Sequence, residues 1–233
     1  MTAGDGAPAA FVGRERELEA ILDATAAAAA GQSTTILLEG SSGMGASRLI
    51  DEALGRIDDA GASGLPTAII RADRLPAWRD TPYAPFRSAF DGFLDGRAAD
   101  EALALLGPGA EILLPLLPRT AARLGAADRR PATRERLADR ILEAFRGVVG
   151  RVASEGPVAL VVEDLHVLDA ASRSLLAFLS RTLGDRPVTL IVVHRDDRIV
   201  MLRHRRHEHG VGRHRPADRV ATGGGGGDRR RDH

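Results

Sequence analysis

Three residues, Gly40, Gly45 and Ser47, have the types and spacing of a phosphate-binding loop. They occupy three of the four fixed positions of the pattern G-x-x-x-x-G-K-[ST], while Ala46 stands in the lysine position. Glycines let backbone N–H groups surround phosphate oxygens at the positive end of a helix, and the serine hydroxyl would ligate Mg²⁺. The predicted phosphate site comprises Gly40, Ser41, Ser42, Gly43, Met44, Gly45, Ala46, Ser47 and Arg48.

Ala46 predicts a weak site, because the lysine normally reaches the β- and γ-phosphates and a methyl group cannot. A hydrogen bond to a charged group is worth roughly 1.5–3 kcal/mol, so nucleotide binding should weaken about ten- to a hundredfold. Hydrolysis should suffer more, because charge shifts in the transition state. The chain contains no lysine to fill the role, and Arg48 occupies a helical position that points elsewhere. The alternative interpretation is an ordinary Gly/Ser-rich turn after a strand.

A pair of carboxylates, Glu163 and Asp164, follows the apolar run at 157–162. Beside a phosphate loop, one such acid holds Mg²⁺, usually through water, and the other polarises the attacking water. Spacing does not decide which acid takes which role. We assign Glu163 to Mg²⁺ together with Ser47, and Asp164 to water activation or coupling. The alternative interpretation is that the two acids are ordinary solvated residues at the end of a strand, which we would favour if the upstream loop were absent.

Other candidate residues are less specific. Arg195 follows the apolar strand at 188–193 and could sense a γ-phosphate, or pair with Asp164 or Asp169. We expect His166 to be structural, because a histidine after a strand often bonds neighbouring backbone. An apolar turn before the first helix is either a wall of an adenine pocket or simple packing; it consists of Phe11, Val12, Gly13 and Arg14.

The segments that must position these residues alternate between strands and helices. Apolar strands are predicted near 34–38, 67–71, 157–162 and 188–193, and helices near 15–30, 47–57, 87–94, 133–154 and 170–183, with short helices over 100–126. This alternation predicts an α/β fold with a parallel sheet flanked by helices. Ligands of such sheets bind at the carboxyl ends of the strands, where the loop, the acids and Arg195 all lie.

Composition limits the class of protein. Hydrophobic residues make up 44% of the 233 positions, enough for a buried core, but aromatic residues make up only 3%. The absence of cysteine excludes disulfides, thiol catalysis and cysteine-ligated zinc. No signal peptide and no apolar run long enough to cross a bilayer are present. We therefore expect a cytoplasmic protein without a membrane partner.

The balance of basic and acidic residues changes near residue 198. From there onward ten arginines face four acids, and five of the seven histidines lie in the same segment. We expect a disordered leader at 1–10, an α/β domain at 11–197 and a disordered, Arg/His/Gly-rich basic tail at 198–233, produced by a frameshift or truncation. Direct nucleic-acid binding by the tail is not expected, although an electrostatic arm or a metal-binding segment are alternatives.

Four stretches together resemble a known family: 11–18, the loop at 40–49, Pro-Tyr-Ala-Pro-Phe at 82–86, and Val-Val-Glu-Asp-Leu-His-Val-Leu-Asp at 161–169. They are similar to the AAA-type, P-loop NTPase domain of STAND signalling proteins, particularly the large LuxR-type transcriptional regulators. Similar domains precede some nucleotide cyclases. The resemblance covers about residues 11–197 and implies a P-loop NTPase-like sheet.

The resemblance implies an ATP-binding switch with Mg²⁺, an adenine site at 11–14, and C-terminal repeat and DNA-binding modules that this chain lacks. Three departures suggest relaxed demand for hydrolysis: Ala46 for lysine, Val193 for a polar sensor, and Val167-Leu168 for Trp-Ala. We therefore expect a switch that acts by nucleotide occupancy, with weak or absent hydrolysis. The alternatives are a working ATPase, a cyclase-type module, and a non-binding scaffold or broken gene product.

Overall fold

The computed structural model describes residues 13–40, 45–60, 67–72, 81–126, 136–195, 201–206 and 220–221. At 59–60, 195, 201–206 and 220–221 this description is of the backbone. The predicted leader at 1–10 lies outside these ranges.

A six-stranded sheet forms the centre of the fold, with the strand order β2-β3-β4-β1-β5-β6. The strands are β1 (Thr34–Gly40), β2 (Ala68–Ala72), β3 (Val158–Val162), β4 (Val188–Arg195), β5 (Met201–Arg206) and β6 (Val220–Ala221). The four strands from β2 to β1 in this order run parallel. The predicted α/β fold, a parallel sheet flanked by helices, is confirmed.

Helices connect the parallel strands. They are α1 (Glu15–Ala29), α2 (Ala46–Ala60), α3 (Ala84–Asp95), α4 (Ala99–Leu106), α5 (Ala110–Leu113), α6 (Pro118–Arg123), α7 (Leu137–Glu155) and α8 (Ala170–Thr182). Short 3₁₀ turns cover Gly107–Gly109, Leu114–Leu116 and Leu165–Val167. The segment at 100–126 breaks into short helices because a proline lies in the first turn of several of them, where its missing N–H costs nothing.

Both faces of the parallel strands are covered. Every residue of β3 is buried, as the unbroken apolar run predicts. One apolar cluster joins α1 and α2 to one face of the sheet. The larger cluster packs the helices from α3 through α8 against the other face of the sheet. The segment at 100–126 thus serves as packing, as expected from its Leu/Ala-rich sequence.

Three aromatic rings meet Phe145 of α7 in the larger cluster. Phe90 packs edge-to-face at 5.0 Å between centroids, and Tyr83 and Phe86 lie at 6.2 and 6.4 Å. All four residues are buried. The prediction that Tyr83 and Phe86 belong to the core is confirmed.

Part of the predicted disordered tail forms strands in the structure. Residues 201–206 pair antiparallel with β1, and residues 220–221 pair with β5. The sequence lacks an apolar period here, but a sheet edge offers unpaired backbone N–H and C=O groups to any extended segment. These pairings concern the backbone of two short segments only, and the disorder of the tail stays a prediction. The rest of 198–233 lies outside the described residues.

Among the described residues, no helix is both long and apolar enough to span a membrane.

Candidate functional site

The carboxyl ends of β1, β3 and β4 lie at one edge of the sheet. Gly40 at the end of β1 is in register with Arg195 at the end of β4, and Glu39 with His194. Glu163 and Asp164 come directly after β3. The fold therefore brings the two described ends of the predicted loop, the two acids and the backbone of Arg195 to the same edge.

Helix α2 begins directly after the glycine loop. Gly45 has φ +77°, a left-handed conformation that a side chain would strain, and its carbonyl accepts the N–H of Leu49 at 2.9 Å. Ala46 opens the helix, and its half-buried methyl group packs against the apolar cluster of α1 and α2. Ser47 and Arg48 are exposed in the first turn. Residues 41–44 lie outside the described residues.

Ser47 and Glu163 meet across the edge of the sheet. The Ser47 hydroxyl donates a hydrogen bond of 2.9 Å to Oε2 of Glu163. Ser47 follows β1 and Glu163 follows β3, and these two strands are not neighbours because β4 lies between them. The hydrogen bond therefore joins α2 to the residue that follows β3.

Arg71 of β2 completes a cluster around Glu163. Its Nε donates to Glu163 Oε1 at 2.8 Å, and its Nη2 donates to the same oxygen. Nη1 donates to Asp51 Oδ1 of α2 at 2.6 Å. The Glu163 side chain is 12% exposed and that of Arg71 29%, so the pair is partly shielded from water.

Asp164 occupies a strained backbone position. It has φ +56° and ψ +48°, which is uncommon for a residue with a side chain, and it is 4% exposed. Its carbonyl accepts the N–H of Val167 at 2.9 Å, which closes the 3₁₀ turn after β3. Conformations of this kind cluster at functional sites, where the surrounding structure maintains them.

Two histidine rings lie at the same edge. His166 and His194 are arranged edge-to-face with centroids 6.2 Å apart. Across the described ranges, no group of three or more His, Asp or Glu side chains could hold a metal ion by itself. A cation at this edge would therefore need ligands of other kinds.

Asp169 ties the motif at 161–169 to the motif at 82–86. It is the N-cap of α8: Oδ1 accepts the N–H of Ser172 at 2.9 Å, and Oδ2 accepts the Ser172 hydroxyl. Oδ1 also accepts the N–H of Tyr83 at 3.3 Å. Burial, followed by the charges of Asp169 and Asp139, raises the pKa of Tyr83. The final acid of the motif thus acts as a structural link.

The remaining predicted site residues either have other partners or lie outside the described residues. Gly13 has φ +94°, and its N–H donates to Glu15 Oε1 at 2.9 Å, while the half-buried Arg14 is the N-cap residue of α1. Val193 is buried in the apolar cluster of α1 and α2. Phe11, Val12 and the side chain of Arg195 lie outside the described part of the structure.

Sequence reasoning missed Arg71 and Asp51. The signal for Arg71 was present, since a single charged residue ends the apolar strand Ala68–Ile70 at the ligand-binding edge. Asp51 lies one helical turn after Ser47 and gave no signal of its own. Their meeting depends on how α2 lies against β2 and β3.

Comparison with known proteins places the chain in a family. The AAA ATPase domain matches residues 10–193. The chain belongs to this family. A protein of Rhizobium meliloti (strain 1021), described as uncharacterized, is 28% identical over an alignment of 203 positions that covers 79% of this chain. The chain spans 18% of the length of that relative.

The donor set of the cluster fits Mg²⁺ of a bound nucleotide. The Ser47 hydroxyl and a Glu163 carboxylate oxygen are hard oxygen donors 2.9 Å apart. Mg²⁺ is usually held by one or two such groups together with phosphate oxygens and water, so three acids are not required. The fit to the nucleotide is incomplete at Ala46, because its methyl group cannot form the charged hydrogen bond to a phosphate that a lysine would form.

Proposed function

We propose that this chain is an ATP-binding switch module that requires Mg²⁺, hydrolyses ATP weakly or not at all, and acts by nucleotide occupancy. The hydrogen bond between Ser47 Oγ and Glu163 Oε2 carries the proposal. It joins a serine at the start of the loop helix to an acid after β3, which are the two groups that share Mg²⁺ in phosphate-binding loops. Membership of the AAA ATPase domain family supports the nucleotide as ligand.

The proposed roles follow the positions of the residues. The backbone of 40–48 and the N-terminus of α2 would bind the phosphates, and Ser47 and Glu163 would hold Mg²⁺, which neutralises phosphate charge when bound. Asp164 would orient a water molecule. Arg195 at the end of β4 would face the γ-phosphate, and the segment at 11–14 would contact the adenine.

Weak hydrolysis follows from the charges at the site. Ala46 cannot stabilise the negative charge that develops between the β- and γ-phosphates. The two positive side chains described near the start of α2 do not replace lysine in its position: Arg71 is engaged by Glu163 and Asp51, and Arg48 is exposed on the first turn. Val193, buried among apolar residues, offers no polar sensor at the end of β4.

We further propose that the module belongs to a LuxR-type regulator of the STAND class, in which C-terminal repeat and DNA-binding modules read the nucleotide state. The four motifs at 11–18, 40–49, 82–86 and 161–169 support this class. The much greater length of the Rhizobium meliloti relative is compatible with further modules. A nucleotide-cyclase protein is the alternative setting for the same module.

The decisive experiment is calorimetry of ATP with Mg²⁺ on the protein and on Ala46→Lys. We expect micromolar-to-millimolar binding by the protein and binding about ten- to a hundredfold tighter by the variant, because one hydrogen bond to a charged group is restored. Ala26→Lys is the matched control: it adds a lysine at an exposed site of α1 toward the opposite edge of the sheet, and should leave the affinity unchanged.

Steady-state phosphate release should accompany the calorimetry. We expect turnover to be at or near background in the protein and to rise in Ala46→Lys. Absence of binding in both proteins, with intact folding shown by thermal unfolding, would contradict a nucleotide function and favour an interaction scaffold. Efficient turnover by the unaltered protein would contradict the occupancy switch.

A further inference from the structure

We propose that Arg71 is a positioning residue for Mg²⁺, because it holds Glu163 so that only Oε2 faces the Ser47 hydroxyl. This inference rests on the proposed nucleotide function and deepens it. Neither the phosphate-loop pattern nor the acidic pair contains Arg71. The geometry around the Glu163 carboxylate carries the argument.

The two oxygens of Glu163 have different partners. A carboxylate oxygen offers about two acceptor positions. Oε1 accepts from Nε and Nη2 of Arg71, so both of its positions are filled from within the protein. Among the described residues, Oε2 accepts a hydrogen bond from the Ser47 hydroxyl alone and so retains one position. The remaining acceptor capacity of Glu163 therefore lies on the oxygen next to Ser47.

Arg71 is itself held in place. Its Nη1 donates to Asp51 Oδ1 at 2.6 Å, so the guanidinium bridges α2 and the residue after β3 from its own position on β2. The guanidinium is planar and rigid, so fixing one end fixes the direction of the donors at the other. Glu163 cannot turn Oε1 toward Ser47 without breaking two hydrogen bonds. Arg71 also offsets the charge of a carboxylate that is only 12% exposed.

Arg71 has the position of a group that hydrogen-bonds to a metal-ligating side chain. Groups that hydrogen-bond to a ligating side chain fix its orientation, and their removal commonly costs 10- to 100-fold in metal affinity. Because Arg71 acts through Glu163, its removal should reduce the contribution of Mg²⁺ to nucleotide binding. Binding measured without Mg²⁺ should not change.

The test compares the affinity for a non-hydrolysable ATP analogue with Mg²⁺ and with EDTA. The ratio of the two dissociation constants gives the magnesium enhancement, which requires no turnover. The variants are Arg71→Met, which removes charge and donors, and Arg71→Lys, which keeps the charge but not the rigid fork. Arg56→Met is the matched control, since Arg56 is an exposed arginine of α2 that pairs with Glu52 at 3.1 Å.

We expect Arg56→Met to keep the enhancement and Arg71→Met to lose about tenfold or more of it, with the EDTA affinity unchanged. Arg71→Lys should lie between the two. If Arg71→Met does not fold, as thermal unfolding would show, Arg71→Lys decides alone, and full retention of the enhancement would overturn the proposal.

Three other results would overturn it. An unchanged enhancement in Arg71→Met would make Arg71 a purely structural residue. A larger enhancement would make it a competitor of Mg²⁺ for Glu163. Equal losses with and without Mg²⁺ would mean that it contacts the nucleotide directly. The failure of the proposed function is distinguishable from these results, because the unaltered protein and Ala46→Lys would then both fail to bind the analogue, and this inference would fall with it.

Discussion

Asp169→Ala should destabilise the fold, although Asp169 belongs to a motif that suggests chemistry. The carboxylate caps α8 through Ser172 and accepts the N–H of Tyr83. Loss of an N-cap costs about 1 kcal/mol, and a buried N–H left unpaired costs about 1–3 kcal/mol. Ser172 is fully buried and Tyr83 is 6% exposed, so water cannot readily replace the lost acceptor. We therefore expect a loss of about 2–4 kcal/mol in the free energy of unfolding.

Urea unfolding followed by circular dichroism would measure this loss, and thermal unfolding would show a decrease in Tm of roughly 5–15 °C for a domain of this size. Asp169→Asn is the matched control. Its amide oxygen can still accept both N–H groups, and its amide nitrogen can donate to the Ser172 hydroxyl. Asparagine is as good an N-cap as aspartate, so the control should lose less than about 1 kcal/mol.

Two results would refute this reasoning. Equal losses in Asp169→Ala and Asp169→Asn would show that the negative charge matters, and not the position of the acceptor. A loss below about 1 kcal/mol in Asp169→Ala would show that the link between α8 and the start of α3 is replaced by other contacts.

Two further predictions concern the core. Asp91→Ala should cost about 2–4 kcal/mol in urea unfolding, because the buried carboxylate accepts the N–H and hydroxyl of Thr120 at 2.9 and 2.8 Å. Asp95→Ala, one turn later on α3, should cost less than about 1 kcal/mol because its ion pair with Arg123 is more exposed, and equal losses would contradict this difference. Thr189→Val should raise the free energy of unfolding by about 1 kcal/mol, since the buried Thr189 hydroxyl has no hydrogen-bond partner in the described structure; a lower Tm would refute this.

Local sequence was sufficient for most of the elements. Apolar runs without alternation predicted the parallel strands, and the apolar residues that share one face of the helix predicted near 133–154 predicted α7. Boundaries moved by a few residues, as in α3, which begins at Ala84 near the predicted lead-in at 82–86. The strands at 201–206 and 220–221 had no local signal, because their pairing depends on a sheet edge formed by distant residues.

The candidate site likewise has residues that the sequence predicts and contacts that only the structure shows. Gly40, Gly45, Ser47, Glu163 and Asp164 could be predicted as candidate residues from residue type and spacing, because phosphate and Mg²⁺ chemistry restricts which groups can serve. Their placement at one edge follows from a general property of parallel sheets. The identity of the acid that contacts Ser47 did not follow, since adjacent residues after a strand point in different directions. The hydrogen bond selects Glu163.

The sequence by itself determined the fold class, the edge at which the site lies and the missing charge at Ala46, because each depends on residue types over short spans. Only the tertiary structure decided which side chains meet there. Arg71 is 20 positions from Asp51 and 92 positions from Glu163, and these contacts require the packing of α2 across β2 and β3. The structure also links Asp169, the N-cap of α8, to the N–H of Tyr83, a contact between two motifs that no spacing within either motif could indicate.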